Sequence, residues 1–161
     1  MKKLWNNKGI TLIEILIVVA IMSIAVGGAS ISISLAYSRD AEKCAKTINS
    51  ALENTRMMSM SEKGNFTMEL DMTNNMLYIK SSEESEPVVT EDLQRRVTIS
   101  SPTDPGAATV TVQFDKSTGK VLSMSPESSD GILRIASENN NGKKATVVLV
   151  KGTGKHYVEY K

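Results

Sequence analysis

The stretch Lys8-Gly-Ile-Thr-Leu-Ile-Glu-Ile-Leu-Ile-Val-Val-Ala-Ile-Met-Ser-Ile-Ala-Val26 decides how this chain is read. A short basic leader ends in Gly9, and an apolar run follows at once with one carboxylate, Glu14, inside it. Leu, Ile and Val number 11 between Ile10 and Ala29. At roughly −0.3 to −0.6 kcal/mol each they supply about −3 to −7 kcal/mol of bilayer insertion free energy. A charge at the centre of such a run costs about 2.5–3.5 kcal/mol, so insertion is still expected, but Glu14 needs a reason to be there. Twenty helical residues rise about 30 Å, the thickness of a hydrocarbon core. Lys2, Lys3 and Lys8 precede the run and place the N-terminus on the cytoplasmic side.

The helical pattern continues beyond the apolar run. Ala41, Cys44, Ala45, Ile48, Ala51, Leu52, Thr55 and Met58 follow one another by three or one and trace a single stripe. Arg39, Asp40, Glu42, Lys43, Lys46, Glu53 and Arg56 fall mostly elsewhere, and Glu42 and Lys46 form a favourable i,i+4 pair. No proline occurs before Pro87. One helix from about Ile10 to Met60 is therefore expected, apolar all round in its first half and amphipathic in its second. Gly27-Gly28 is its weak point, costing about 1 kcal/mol per glycine relative to alanine, and a kink or local melting is expected there.

Beyond Gly64 the pattern changes to short β runs. Eight strands are expected: Phe66–Leu70, Met76–Lys80, Arg96–Ser100, Thr109–Phe114, Val121–Met124, Ile132–Ala136, Ala145–Val150 and His156–Glu159. Asn- and Gly-rich turns separate most of them, so antiparallel meanders in one or two sheets are expected. Residues 81–87 and 101–107 read as longer loops. The acidic residues Glu83, Glu84, Glu86, Glu91 and Asp92 read as a solvated loop. The fold class is α+β, with the amphipathic half of the helix packed on antiparallel sheet.

Composition limits the function classes. The chain has 161 residues, enough for one membrane-directed segment and one modest domain. With the three leader lysines set aside, 16 basic residues of the 19 face 18 acidic ones, a net charge of −2. That balance does not describe a nucleic-acid-binding surface. A single cysteine, Cys44, excludes an intramolecular disulfide and reads as a packing residue. His156, the only histidine, reads as a surface strand position, and one histidine with one distant cysteine makes no typical zinc site. Ser117-Thr118-Gly119-Lys120 and Gly152-Thr153-Gly154-Lys155 hint at phosphate loops, but both lack the full glycine spacing and read as hairpin turns. Asn65-Phe66-Thr67 fits a glycosylation sequon, but it begins an expected strand. No catalytic constellation, metal site or cofactor motif is found, so the chain does not read as an enzyme.

The segment Lys8-Gly9-Ile10-Thr11-Leu12-Ile13-Glu14 resembles the class III signal of type IV pilins and type II secretion pseudopilins. The resemblance covers about residues 2–30. It implies a leader at residues 1–9, a transmembrane and later filament-core helix at 10–36, and an extracytoplasmic pilin-like domain at 37–161, helical to about residue 62. It implies cleavage between Gly9 and Ile10 by a prepilin peptidase on the cytoplasmic side, followed by N-methylation of Ile10. Phenylalanine is usual at that first mature position, so Ile10 is a departure. It further implies that Glu14, the fifth mature residue, pairs with the N-terminal amine of a neighbouring subunit. Partners on this reading are other pilin or pseudopilin subunits, the peptidase, an inner-membrane assembly platform and the membrane itself, with nucleic acid a partner only in a DNA-uptake machine. The location implied is the inner membrane, single-pass with the N-terminus cytoplasmic, and then a pilus or pseudopilus. Ala51-Leu52-Glu53-Asn54-Thr55-Arg56 before the Phe66 strand, Val110–Phe114 with Gly119, and Val147–Val150 with Gly154 resemble pieces of the GspH/FimT minor pseudopilins. The competing reading is a secreted β-rich protein with a conventional signal peptide, since Ala25-Val26-Gly27 and Gly27-Gly28-Ala29 offer small residues at cleavage spacing. Glu14 in the apolar core and the continuing helical pattern argue against it.

Overall fold

The structure is a computed structural model that describes residues 11–62, 64–93 and 96–160, residues 27–38 by backbone alone. The chain divides into two compact units, residues 1–36 and 37–161. Helix α1 is assigned over Leu12–Ser61. Helical backbone continues through Gly27 and Gly28, so the local melting expected there is absent.

In the second unit α1 buries the stripe that its spacing predicts. Ala45, Ile48 and Leu52 are fully buried, and Ala41, Cys44 and Ala51 nearly so. Thr55 lies in the same stripe, and its hydroxyl donates to the Ala51 carbonyl at 2.7 Å, which lets a polar residue sit in the core. Burial pushes the Cys44 thiol up to about 11, opposed by a hydrogen bond with Ser137, so at neutral pH it is an inert packing group.

Nine strands follow: β1 Phe66–Asp71, β2 Met76–Ser81, β3 Pro87–Asp92, β4 Val97–Ser100, β5 Thr109–Phe114, β6 Val121–Ser125, β7 Ile132–Asn139, β8 Lys144–Val150 and β9 Lys155–Tyr160. They form a five-stranded sheet in the order β3-β2-β1-β5-β6 and a four-stranded sheet in the order β4-β7-β8-β9. Every pairing is antiparallel. Alternation along β1 and β5 sends Met68, Leu70, Val110 and Val112 inward, and Leu133, Ile135, Val147 and Leu149 do the same for the second sheet. With Ile48 and Leu52 these residues make one hydrophobic core. The meander expected from the sequence is therefore present, as two sheets closed over one helix.

Three readings need correction. β3 lies where a loop was expected, so Glu91 and Asp92 are strand residues and only Glu83, Glu84 and Glu86 are in the connecting loop. Its acidic and proline content disfavours a strand on propensity, but β3 is an edge strand, where Pro87 and outward charges are tolerated. β7 runs to Asn139 rather than Ala136, because both β4 and β8 continue the ladder beside it. His156 is not a surface residue. Its side chain is 6% exposed, with Nε2 3.2 Å from Glu53 Oε2 and Nδ1 3.2 Å from the Gly154 carbonyl. Two residues farther along β9 Val158 packs on the core, and at Tyr160 the ring lies 5.9 Å from Lys46 Nζ. The inner face of β9 thus runs beside one flank of α1, from Glu53 back to Lys46.

The two Gly-Lys segments are hairpin turns, as expected, and they touch. Gly119 and Gly154 are both left-handed, at φ +65° and +68°. A Cβ on Gly154 would lie 2.2 Å from the Gly119 carbonyl oxygen, and one on Gly119 would lie 2.8 Å from Met60 Sδ and 2.9 Å from Arg56 Nε. Val121 N–H donates to the Lys151 carbonyl at 3.3 Å. The end of α1, the β5–β6 turn and the β8–β9 turn are therefore stacked, and this stack joins the two sheets at one corner.

Asp115 holds the first turn closed. Its carboxylate accepts from the Thr118 hydroxyl at 2.7 Å, the Ser117 hydroxyl at 2.8 Å and the Thr118 amide at 2.8 Å. These bonds, the Thr118 hydroxyl first, bring its pKa down to about 2.

Two predictions follow from this corner. Gly154→Ala should lower stability by more than about 2 kcal/mol, since left-handed backbone alone costs an L-residue about 1–2 kcal/mol and the clash is with backbone. Gly152→Ala, which meets nothing within 4 Å, is the near-neutral control. Denaturant titration followed by circular dichroism compares them. Asp115→Ala should lower the denaturation midpoint at pH 7. A depressed carboxylate stabilises above its unfolded pKa and loses that contribution as pH falls through the folded value. The gap from the unaltered protein should therefore narrow between the ordinary 3.8 and about 2.

Candidate functional site: the N-terminal helix

Thr11 begins the described chain and sets the start of α1. Its side-chain oxygen accepts from the Glu14 amide at 3.3 Å, and its carbonyl accepts from the amides of Glu14 at 3.1 Å and Ile15 at 3.3 Å. Thr11 is thus the N-cap and Glu14 the third helical residue, the Thr-x-x-Glu spacing of a capping box. The sequence reading above missed this role for Thr11. The signal that could have found it is a Ser or Thr three residues before Glu at the head of an apolar run.

Glu14 lies in the first turn, where the helix dipole favours a negative charge. Its carboxylate is exposed and has no hydrogen-bond or ion-pair partner among the described residues. It shares a face of the helix with Ile15, Val18 and Val19. Eleven large apolar side chains between Leu12 and Val26 are exposed, from 46% at Val18 to 83% at Leu12. They point all round the helix, so no single packed face hides them. Fully burying such a set would contribute on the order of 10 kcal/mol or more. The one hydroxyl in the described run, on Ser23, donates to the Val19 carbonyl at 2.8 Å and so removes its own demand for water. Among the described residues no helix is both long enough and apolar enough to cross a membrane. The side chains described in this run stop at Val26, and residues 12–26 rise only about 22 Å.

Gly9 and Ile10, the expected cleavage and methylation positions, lie outside the described residues. Of the three expected site residues, the structure therefore places Glu14 alone. Cys44 and His156 are in the second unit and engaged there, one buried in the core and the other against Glu53.

Comparison with known proteins adds two findings. Residues 6–30 match the prokaryotic N-terminal methylation motif. The fold matches the type IV minor pilin FimU of Pseudomonas aeruginosa, at 15% identity and a TM-score of 0.55, covering 75% of this chain and 89% of that one. The fold is one that this chain shares with a solved type IV minor pilin. The minor pseudopilin EpsH from the type 2 secretion system of Vibrio cholerae has the same fold, at 10% identity and a TM-score of 0.52, covering 75% of this chain and 97% of that one. The sequence matches no curated protein. α1 with its antiparallel sheets is the α+β arrangement in which this chain matches both solved structures.

Proposed function

We propose that this chain is a structural subunit, of the minor pilin or pseudopilin kind, in a type IV pilus or type II secretion-like filament. Its work is assembly, with no catalytic turnover. The observation that carries the proposal is the all-round exposed apolar run that opens α1, preceded by a processing signal and carrying one unpartnered carboxylate. An apolar surface of that extent needs lipid before assembly and other helices after it. The motif supports a prepilin peptidase as the processing partner, and the fold supports other subunits as neighbours.

On this reading residues 1–9 are removed, and Ile10 becomes the methylated first residue. Residues 10–36 anchor the chain in the inner membrane and later pack in the filament core. Residues 37–161 stay outside the cytoplasm, and an inner-membrane platform draws the subunit from the bilayer into the filament. Glu14 gives the process its register. In lipid an unpaired carboxylate is penalised, and beside the freed amine of a neighbouring subunit it is compensated. Thr11 supports this role by fixing the first helical turn, so that the carboxylate sits one turn from the chain's own amine while facing outward.

Mass spectrometry of the mature protein from its host should show a chain that starts at methylated Ile10, and a start near Gly28 or Ser30 would overturn the proposal. Glu14→Ala should leave membrane insertion intact, because it removes a penalty of about 2.5–3.5 kcal/mol. The same substitution should lower recovery in sheared filaments by about tenfold or more, the effect of losing a buried ion pair. Membrane fractionation beside filament recovery reads both effects, and unchanged recovery would remove the pairing role.

A further inference from the structure

The five-stranded sheet carries opposite charge at its two edges, at the same end. Residues 82–92, the β2–β3 loop and edge strand β3, hold five acidic residues and no basic one. Glu83, Glu84, Glu86, Glu91 and Asp92 are all exposed. At the other edge stand the stacked turns. Lys116 and Lys120 come from the β5–β6 turn, and Lys151 and Lys155 from the β8–β9 turn held against it through Gly119 and Gly154. Lys116, Lys120 and Lys155 are exposed, and Lys151 pairs with Glu127.

The register puts the β2–β3 loop, with Glu83, Glu84 and Glu86, at the same end of the sheet as the lysine turns, whereas Glu91 and Asp92 stand opposite Leu77 and Met76 at the far end. Ser81 pairs with Phe66, Thr67 with Gln113, and Phe114 with Val121, so the end of β2, the start of β1 and the β5–β6 turn lie in one row. The order β3-β2-β1-β5-β6 then separates the acidic loop from the basic turn by three strand spacings. At about 4.8 Å each this is roughly 14 Å, beyond a physiological Debye length of about 8 Å, so the two features do not neutralise each other within one chain.

Acidic residues and Pro87 on β3 also protect an open edge from unwanted strand pairing. That explains charge on β3. It does not explain four lysines gathered at the opposite edge by a contact between two turns from different sheets.

We propose that the acidic β2–β3 loop of one copy of this chain, through Glu83, Glu84 and Glu86, docks onto the paired lysine turns of a second copy. The inference rests on the filament-subunit reading and names the neighbour's surface. Two different patches on opposite edges make a head-to-tail contact. Such a contact propagates, and where it does not close into a ring it gives an open helical array. Exposed ion pairs are individually weak, so the contact sets the orientation and register of the domains while the apolar helices supply the cohesion.

The test mixes full-length chain in unlabelled and heavy-nitrogen forms in detergent micelles and treats it with a water-soluble carbodiimide, which joins an ammonium to a carboxylate only where they meet. Mixed-isotope cross-links between Lys116, Lys120, Lys151 or Lys155 and Glu83, Glu84 or Glu86 are expected, falling as salt is raised. Lys120→Glu with Lys155→Glu should lower their yield at least about fivefold, and adding Glu84→Lys with Glu86→Lys should restore it. Cross-links confined to single-isotope species, cross-links to other carboxylates, or failure of the double reversal to restore the yield would overturn the proposal. The mass of the mature N-terminus from the host separates the two ideas. An unmethylated start sinks the filament reading and leaves the cross-links standing, whereas correct processing without mixed cross-links sinks the docking contact alone.

Discussion

The domain is organised by the burial of one helical stripe against two sheets. Ala45, Ile48 and Leu52 of α1 have no exposed surface, and the strands that cover them come from both the five-stranded and the four-stranded sheet. Neither sheet could hide its inner face alone, because each is small and open-edged. The helix supplies the shared wall, and its small residues (Ala41, Cys44, Ala45, Ala51) let the strands approach closely. With few aromatics and no disulfide available, methionine and the branched aliphatics fill the remaining volume.

The first half of α1 follows the opposite rule. Its described apolar side chains, Leu12 to Val26, are exposed all round the helix, so they are covered only by something outside the chain. Glu14 adds direction to that demand. An apolar surface accepts any apolar cover, but a carboxylate in the same segment accepts only a partner that brings a positive charge to one height along the helix. The Thr11 cap fixes the first helical turn, in which Glu14 sits. On the proposed filament reading, cohesion and register are thus separate contributions within one segment.

Much of the fold was legible in the sequence because it rests on local periodicity. The stripe from Ala41 to Met58 reads directly at helical spacing, and eight of the nine strands read from β-branched runs between turns. What escaped had a non-local cause. β3 exists because β2 offers it an edge, against the preference of Pro87, Glu91 and Asp92. β7 is longer than its propensity because two neighbours extend the ladder. His156 reads as a surface position in sequence but is half-buried, with its ring shielded where Glu53 from the helix and the Gly154 carbonyl meet its two nitrogens. At the candidate site Glu14 was legible as a charge out of place. Thr11 was legible too, as the other half of a capping box, once the apolar run is read as beginning with a helix start.

By itself the sequence determined the N-terminal methylation motif, the apolar run with Glu14, and the amphipathic helix that follows, because each is a property of residues that neighbour one another along the chain. The tertiary structure alone decided that two glycine turns 35 residues apart, Gly119 and Gly154, lie in contact under the end of α1. It also decided that four lysines gather there while an acidic edge stands on the far side of the same sheet. The reason is that strand order and register, rather than sequence distance, determine which charges share a surface, and these are fixed only when both sheets close over the helix.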